Sequence, residues 1–465
     1  NVRLIRTSDG QLIPGSIDTT GGGDAIVYQP STPLAANTGY TFIVTDGVRD
    51  TTGAAFIPFT STFTTGTAGG VVDSSVAFEQ IQLPNTFGNA WTSVTEGPDG
   101  KLYGTTIDGK IVRFTINSDG TVGTGQLINT IINREGGPRM TLSIAFAPNS
   151  TASNLIAYVS HGQYAGLPGL PLASNFTGKI TKLTGANLQT AQDVVVGLPR
   201  SVKDHQNYQA VFGPNGRLYV NVSSMSAKGA PDNAWGLKEE VLLSAAILEI
   251  DVNAIGTGTI DVNSTGANPY NPFATNAPVK IYAEGLRSAY DILFHTNGNM
   301  YSATNGSAAG GNTPAKPGVA GTQLTNVATQ NDYMFRIQQG KYYGHPNPLR
   351  GDYILGGGNP TSGADPFEIE PTPERPSAYP VGTQPESNFG GIAYNFGKNY
   401  SPNGMIEYRG NAFGGALNGK ILIVRYSGGD DILVMTPGSN GTISDAKSGF
   451  QGFTGFVDPL DITQA

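Results

Sequence analysis

His205, one of only four histidines in the chain, stands in the stretch 204–207, directly before an apolar run. An imidazole titrates near neutral pH, and it is the side chain most often used as a general base. The apolar pair 211–212, the Gly-Pro-Asn-Gly turn 213–216 and the apolar run 218–220 together predict a β-hairpin. The pattern therefore predicts a candidate base at the start of a strand.

The remaining candidates for chemistry are weaker. His345 and His161 could each act as a ligand or base, but a histidine packed into the structure is the commoner outcome for both. His295 lies in a turn and is predicted to be exposed, and Glu239-Glu240 is predicted to be a solvated pair on an insertion. A carboxylate pair for glycoside hydrolysis stays open, although no spacing indicates one. No serine nucleophile elbow, phosphate-binding loop or dinucleotide-binding motif is present.

Composition predicts an all-β protein. The chain has 465 residues with 64 glycines, 30 prolines and only 13% charged residues, which favours many short strands joined by turns. A net charge of −8 argues against nucleic-acid binding, and no apolar run is long enough to span a membrane. The absence of cysteine removes disulfides and thiol chemistry without fixing the compartment. Low charge and many Thr, Gly and Asn residues favour a secreted, extracellular or cell-surface protein.

The predicted hairpin recurs along the chain at irregular intervals, in several copies followed by a third strand. The copies are 96–103, 144–159 with a longer turn, 211–220, 292–301, and a divergent fifth that joins 391–394 to 419–424. Third strands are predicted at 109–114, 178–183 and 246–250. Three or four antiparallel strands per repeat predict a β-propeller spanning residues 75–465.

Residues 459–462 read as the first strand of a sixth copy, and the sequence stops before its turn and second strand. A closed ring needs every blade to be complete. The missing strands could come from a longer polypeptide, from the region 70–83, or from a neighbouring molecule. We expect a polypeptide that is longer than this sequence at both ends.

Residues 1–68 predict a separate unit with strands at 24–30, 38–44 and 59–66. This stretch resembles bacterial Ig-like modules of surface-layer and other exported proteins. The resemblance rests on Tyr40, Phe42 and Val44, then on Gly47-Val48, Asp50 and Gly53, and on Phe63-Thr64-Thr65. The usual first strand is missing, so the unit is predicted to be an incomplete Ig-like β-sandwich.

The region 75–465 resembles the soluble glucose/sorbosone dehydrogenase family. Three blocks carry the resemblance: 203–206 before 212–219, Gly285 to Asp291, and 331–337 followed by 343–347. The resemblance implies a six-bladed propeller that oxidises a sugar with pyrroloquinoline quinone and calcium.

Carried over block by block, the resemblance makes His205 the general base. Arg287 would hold cofactor oxygens, next to Ser288, and Arg425 is near the place of a cofactor-binding lysine. Calcium would bind near Gly306 and Ser307, with Asp332 as the remaining acidic ligand.

The sequence also departs from the family pattern. Ser288 replaces an asparagine, Asn331-Asp332-Tyr333 replaces an Asp-Glu pair, and His345 replaces a tryptophan. An insertion at 307–330 could cover or rebuild the site. The late basic residues that neutralise the cofactor carboxylates are not evident apart from Arg425.

Two functions follow. One is a non-catalytic scaffold, adhesion or surface-assembly protein, with itself or other surface proteins as partners. The other is a sugar dehydrogenase that depends on pyrroloquinoline quinone and calcium. Three or more Lys or Arg side chains within reach of one pocket that His205 faces would favour the enzyme.

Overall fold

The computed structural model describes residues 1–19, 26–32, 34–49, 53–65, 75–307, 310–361 and 371–465. These residues form two compact units, one comprising 1–77 with 449–451 and the other 78–448 with 452–465. Both are built from strands, which confirms the predicted all-β class. The predicted domain bounds stay predictions, because the link 66–74 lies outside the described residues.

The first unit contains five strands in two antiparallel sheets. They are β1 (Val2–Arg6), β2 (Gly15–Thr19), β3 (Ile26–Pro30), β4 (Gly39–Val44) and β5 (Phe59–Thr64). One sheet has the order β1-β4-β5 and the other pairs β2 with β3. Leu4, Tyr40 and Val44 form its buried interior, and every residue of the edge strand β5 is exposed. Three strands lie where they were predicted; residues 24–25, 50–52 and 66 are not among those described.

In the described residues, the second unit contains five successive antiparallel sheets of four strands, which are the blades of a propeller, and one of them gains a short fifth strand that is parallel. Blade one comprises β6 (Trp91–Glu96), β7 (Lys101–Thr106), β8 (Ile111–Thr115) and β9 (Gln126–Ile128). Blade two comprises β10 (Arg139–Phe146), β11 (Ile156–Gln163), β12 (Gly178–Thr184) and β13 (Thr190–Leu198). Blade three comprises β14 (Asn207–Phe212), β15 (Leu218–Val222), β16 (Ala246–Ile250) and, after the short strand β17 (Ile260–Asp261) that joins blade two, β18 (Val279–Glu284).

Blade four comprises β19 (Leu293–Phe294), β20 (Met300–Thr304), β21 (Asp332–Ile337) and β22 (Tyr394–Gly397). Blade five comprises β23 (Pro402–Glu407), β24 (Ile421–Arg425), β25 (Asp431–Pro437) and β26 (Ile443–Lys447). The helices in the described residues are short: α1 (Thr130–Glu135), α2 (Val252–Ile255), and 3-10 turns at Pro84–Thr86, Asn233–Trp235, Pro348–Arg350 and Ala412–Gly415.

The repeated hairpin is stabilised by the residues that make it recognisable in the sequence. Gly216 closes its turn at φ +73°, a conformation that glycine adopts without strain. Asn215 in the same turn donates to the hydroxyl of Tyr219 (2.9 Å), and Asn297 donates to Tyr301 (3.2 Å) in the next blade. The first four predicted copies therefore correspond to blades one to four.

The predicted fifth copy is wrong in its first strand. The stretch 391–394 leads into β22, the outer strand of blade four, where it pairs with β21. Blade five instead begins at β23, which pairs with β24 in register Ile406 to Leu422.

Hydrogen bonds join the inner segments of the blades into a ring of six positions. The six contacts follow around the ring from blade one back to blade one: Thr92 Oγ1 to Thr141 O (2.6 Å), Ala210 N to Ser143 Oγ (3.0 Å), Gln209 N to Tyr290 O (3.1 Å), Met405 N to Asp291 Oδ2 (2.9 Å), Gly404 N to Leu460 O (3.0 Å) and Val94 N to Asp461 Oδ2 (2.8 Å). The stretch 459–462 therefore occupies the inner position of a sixth blade.

Apolar clusters fill the space between successive blades from one to five. Met140, Leu142, Tyr208 and Tyr290 pack together near the end of the propeller where the inner strands begin, which we call the upper face. On the opposite side, a cavity of about 810 Å³ extends along the ends of the inner strands; we call it the lower axial cavity.

Candidate functional site

His205 lies on the upper face, immediately before β14, and is only 3% exposed. Its Nδ1 lies 3.0 Å from the carbonyl oxygen of Ser224 and 3.1 Å from the hydroxyl of the same residue. A carbonyl oxygen only accepts, so Nδ1 carries the proton and Nε2 keeps a lone pair. Burial, followed by the positive charge of Arg287, holds the pKa of His205 well below its usual value. The imidazole is therefore neutral at pH 7, as a base requires.

Trp235 covers this imidazole. The two ring centres are 4.3 Å apart, and the indole is 2% exposed. The 3-10 turn that carries it begins at Asp232, whose Oδ1 accepts a hydrogen bond from Trp235 N (3.0 Å). The Lys203 ammonium lies 5.1 Å and the Arg287 guanidinium 5.5 Å from the indole ring, within cation–π range.

Arg287 is held by backbone oxygens. Its Nε donates to Ala227 O (3.2 Å), and its Nη1 donates to Gly306 O (3.1 Å) and to Asn305 O (3.4 Å). The residue is 7% exposed. These bonds fix the guanidinium between the segment that carries Trp235 and the end of β20.

Glu240 anchors the loop between β15 and β16, which carries Trp235 and which we call the covering segment. It is 4% exposed and its carboxylate accepts hydrogen bonds from the amides of Met225 and Ser226 and from the hydroxyls of Ser226 and Ser244 (2.6–3.2 Å). His345 Nε2 lies 3.0 Å from the same carboxylate. Although burial opposes ionisation, these partners, led by His345, lower the pKa of Glu240 to about 2. The prediction of a solvated glutamate pair was therefore wrong for Glu240, while Glu239 is exposed.

The three predicted calcium ligands already have protein partners. Gly306 O accepts from Arg287, and Ser307 O accepts from Gln330 N (2.9 Å). Asp332 accepts from the amides of Gly306, Tyr400 and Ser401 (2.7–2.8 Å). Burial raises the pKa of Asp332 to about 6. Among the described residues no cluster of three or more His, Asp or Glu side chains could hold a metal ion.

Two of the predicted cofactor residues have structural contacts. Arg425 binds the carboxylate of Asp431 through Nε (2.7 Å) and Nη2 (2.5 Å) and lies 4.7 Å from the ring of Tyr400. Ser288 is 5% exposed, and its hydroxyl lies 3.4 Å from that of Tyr208. These contacts bring Ser288 beside Arg287, whereas Arg425 belongs to a separate ion pair of blade five.

Three cations contact His205 or the indole that packs on it. They are Arg287, Lys203 and the fully buried Arg200, which donates to the carbonyl oxygens of His205 (2.9 Å) and Ala165 (2.7 Å). Desolvation lowers the pKa of Arg200 to about 10. The predicted number of cations is thus present, but His205 packs against Trp235 and is 3% exposed, so it does not face an open pocket.

The arrangement does not fit pyrroloquinoline quinone or calcium. The cavity lined by Arg287 and His345 has a volume of about 30 Å³, whereas pockets for small molecules span roughly 300–1,000 Å³. A calcium ion on Gly306 O would sit at about 2.4 Å from it. It would therefore be pressed against the guanidinium that already binds the same oxygen, and the two positive charges would repel. The cofactor and calcium assignments stay predictions from the resemblance.

The other histidines are structural. His161 is fully buried; Arg139 Nε donates to its Nδ1 (3.1 Å), and its Nε2 contacts Thr181 Oγ1 (2.8 Å). His295 is 8% exposed and contacts Gly419 O at 3.0 Å, so the prediction that it is exposed was wrong.

Trp235 and the buried role of Glu240 were not predicted from the sequence. Trp235 is one of two tryptophans in the chain and follows Asp232 by three residues inside a polar loop. A large aromatic side chain in such a loop is a signal for a buried anchor. The partner of Glu240, His345, lies 105 residues further along the chain, and no local pattern links the two.

Comparison with known families identifies the first unit. The family model described as a bacterial Ig-like domain matches residues 1–65. The predicted Ig-like resemblance is therefore confirmed. No curated protein matches the chain.

Among solved structures, the chain is similar to sugar dehydrogenases. The PQQ-bound aldose sugar dehydrogenase of Streptomyces coelicolor is 15% identical, with 82% of this chain and 85% of that chain covered and a TM-score of 0.45. A glucose dehydrogenase is 15% identical, with 77% and 86% covered and a TM-score of 0.48. The pyranose dehydrogenase PQQ domain of Coprinopsis cinerea is 13% identical, with 79% and 81% covered and a TM-score of 0.44. Likenesses this distant say nothing about the activity of this chain, and the propeller fold rests on its own sheets and ring.

Proposed function

We propose that this protein is a non-catalytic scaffold, adhesion or surface-assembly protein outside the cell, whose propeller has a site closed by its own residues. The observation that carries the proposal is Trp235, which is packed on His205 and held there by the Asp232 cap. His205 is also only 3% exposed, so little of its imidazole is open to a substrate hydroxyl.

Three further observations support the proposal. Arg287 donates to three backbone oxygens and leaves its Nε and Nη1 no hydrogen for a cofactor. Glu240 fixes the covering segment with bonds to buried groups, so the cover is part of the folded core. Low charge and the match of residues 1–65 to a bacterial Ig-like domain favour an exported protein whose partners are surface proteins or further copies of itself. No helix in the described part of the chain has the length and apolar character of a membrane span.

A second candidate is a PQQ- and calcium-dependent sugar dehydrogenase. The observation that favours it is the tautomer of His205, whose Nε2 lone pair could accept a proton from a sugar hydroxyl. The cofactor would supply the acceptor for the hydride. This function requires Trp235 and the segment around it to leave the imidazole.

A titration of the purified chain with pyrroloquinoline quinone and calcium distinguishes the two functions. Absorbance reports binding, and sugar-dependent dye reduction reports turnover. We expect neither at micromolar cofactor. Trp235→Ala, which uncovers His205, and Leu237→Ala, an exposed neighbour on the same segment, serve as paired variants. Stoichiometric binding by the wild type, with turnover that His205→Ala abolishes, would establish the dehydrogenase and reject the proposal.

A further inference from the structure

The insertion 307–330 contains a hairpin over residues 310–328, which we call the insertion hairpin. Backbone bonds join its two arms: Gly310 N to Val327 O (2.8 Å), Val327 N to Gly311 O (3.0 Å) and Thr313 N to Leu324 O (3.0 Å). The hydroxyl of Thr313, which is fully buried, also accepts from Leu324 N (2.9 Å). The arms therefore form one unit in the connection between β20 and β21.

The insertion hairpin is attached to a second loop, the connection between β21 and β22. Apolar side chains of the two loops form one buried cluster, which consists of Leu324, Val327, Ile354, Leu355 and Tyr379. An ion pair adds to it, with 2.6 Å between Lys316 Nζ and Glu386 Oε2. The insertion hairpin therefore has an anchor that does not involve the covering segment.

Three hydrogen bonds tie the insertion hairpin to the middle of the covering segment. Ala230 N donates to Asn312 O (3.1 Å), and Asn312 Nδ2 donates to Pro231 O (2.7 Å). The ammonium of Lys228, which is fully buried, donates to Ala328 O (2.6 Å). Loss of a donor to a buried carbonyl oxygen is costly, so these bonds hold the two loops together.

The residues that the insertion hairpin binds lie next to the cap of Trp235. Asp232 directly follows Pro231, and its two carboxylate oxygens accept from Ala227 N and from Trp235 N (both 3.0 Å). Asp232 thereby fixes the turn that packs the indole on His205. A continuous set of contacts therefore runs from the insertion hairpin to the imidazole.

We propose that the insertion hairpin is the clamp that holds the covering segment, and with it Trp235, against His205. The inference rests on the closed site of the proposed function and adds the element that keeps the site closed. Both loops lie outside the strands of the blades, so they can separate while the strand pairings persist. Release of the clamp, without unfolding of a blade, then exposes Nε2 of His205.

Reaction with diethyl pyrocarbonate measures the release, because the reagent modifies a neutral imidazole whose nitrogen is accessible. Mass spectrometry of the peptides gives separate rates for His205 and for His161, which is fully buried in blade two and reports unfolding of a blade. We expect both histidines of the wild type to react slowly. Trp235→Ala, which uncovers the imidazole directly, gives the rate of an open site.

Two substitutions weaken the clamp. Asn312→Asp keeps the oxygen that accepts from Asn326 N (3.2 Å) and loses the donor to Pro231 O, whereas Lys228→Met loses the donor to Ala328 O. With both substitutions His205 should react about tenfold faster, and His161 should keep its wild-type rate. Should Lys228→Met not fold, Asn312→Asp alone should raise the His205 rate by about threefold.

Gln323→Ala changes an exposed side chain of the same hairpin, so it is the matched control and should keep the wild-type rate. An unchanged His205 rate in the clamp variants, with fast reaction in Trp235→Ala, would overturn the clamp and leave the closed site intact. Equal acceleration of His205 and His161 would also overturn it, since the hairpin would then support the blades. Fast reaction of His205 in the wild type would reject the closed site itself, and the clamp with it.

Discussion

The indole of Trp235 packs on the imidazole of His205 with 4.3 Å between the ring centres, and it is the contact that separates a candidate catalytic site from a closed one. The two residues are 30 positions apart in the sequence and lie in different structural elements. His205 precedes an inner strand of the propeller, whereas Trp235 stands in the loop between β15 and β16. The scaffold therefore presents a base that a neighbouring loop covers.

Removing the indole should restore ordinary titration to His205. Its pKa is held down mainly by burial, so exposure in Trp235→Ala should bring it back toward 6.5. NMR of the imidazole C–H signals between pH 5 and 8 measures this directly. The signal of His205 should not titrate in the wild type or in Trp235→Phe, which keeps the ring covered. Titration near pH 6.5 in the wild type would contradict the closed site. Trp235→Ala should also lower the free energy of unfolding by about 3–5 kcal/mol.

Loss of the Glu240 charge should destabilise the covering segment. Glu240→Gln removes the charge of a buried carboxylate that accepts hydrogen bonds from Ser226, Ser244 and His345, and weakening such bonds costs about 1–3 kcal/mol. Urea unfolding at pH 7 measures the change. Glu239→Gln alters the exposed neighbour and should stay within about 0.5 kcal/mol of the wild type. Equal stability of the two variants would show that the pair does not anchor the segment.

The same pair predicts acid sensitivity. The folded pKa of Glu240, about 2, lies below its unfolded value of 4.5, and that of His345 is also lowered. The unfolded chain therefore binds more protons, and stability falls as pH drops from about 6.5 through 4.5 toward 2. Glu240→Gln should show a shallower loss of unfolding free energy between pH 5 and pH 3. A slope as steep as that of the wild type would assign the acid sensitivity to other groups.

The hairpins could be predicted because the residues that stabilise each one are close together in the sequence. The turn 213–216 and the following Tyr219 contact each other within one hairpin, so the sequence alone contains the interaction. Blade five lacks such a short turn. The connection between its first two strands runs from Tyr408 to Lys420 and contains four glycines and a 3-10 turn. The prediction consequently joined 391–394, which belongs to blade four, to β24.

The candidate site was predictable only in part, for a related reason. His205 and Arg287 lie in blocks that the family resemblance marks, and the structure brings both to Trp235. What closes the site depends on contacts between distant loops, such as Glu240 with His345 and Arg287 with Gly306. Neither contact can be read from hydrophobic periodicity or from turn residues, since each depends on how loops that are distant in the sequence pack against the blades.

Arg425 should contribute to stability through Asp431. The pair is largely buried and bonded through two nitrogens, a geometry that gives strong coupling. A double-mutant cycle with Arg425→Met and Asp431→Asn should give a coupling energy of about 1–3 kcal/mol in urea unfolding. The exposed pair Lys447–Asp445 is the control and should give about 0–1 kcal/mol. Equal coupling in the two pairs would mean that Arg425 does not stabilise blade five.

Glycine substitutions should separate turn strain from close packing. Gly298 has φ +82° and nothing within 4 Å of an added Cβ, so Gly298→Ala carries only the left-handed strain of about 1–2 kcal/mol. Gly285 has a similar φ of +77°, but an added Cβ would lie 2.6 Å from the buried ring of Tyr342 and 2.8 Å from the amide nitrogen of Gly344. Gly285→Ala should therefore destabilise the fold by at least about 2 kcal/mol more. Thermal unfolding of both variants tests this; comparable losses would place the cost in the φ angle alone and contradict the tight packing of Gly285 against Tyr342 and Gly344.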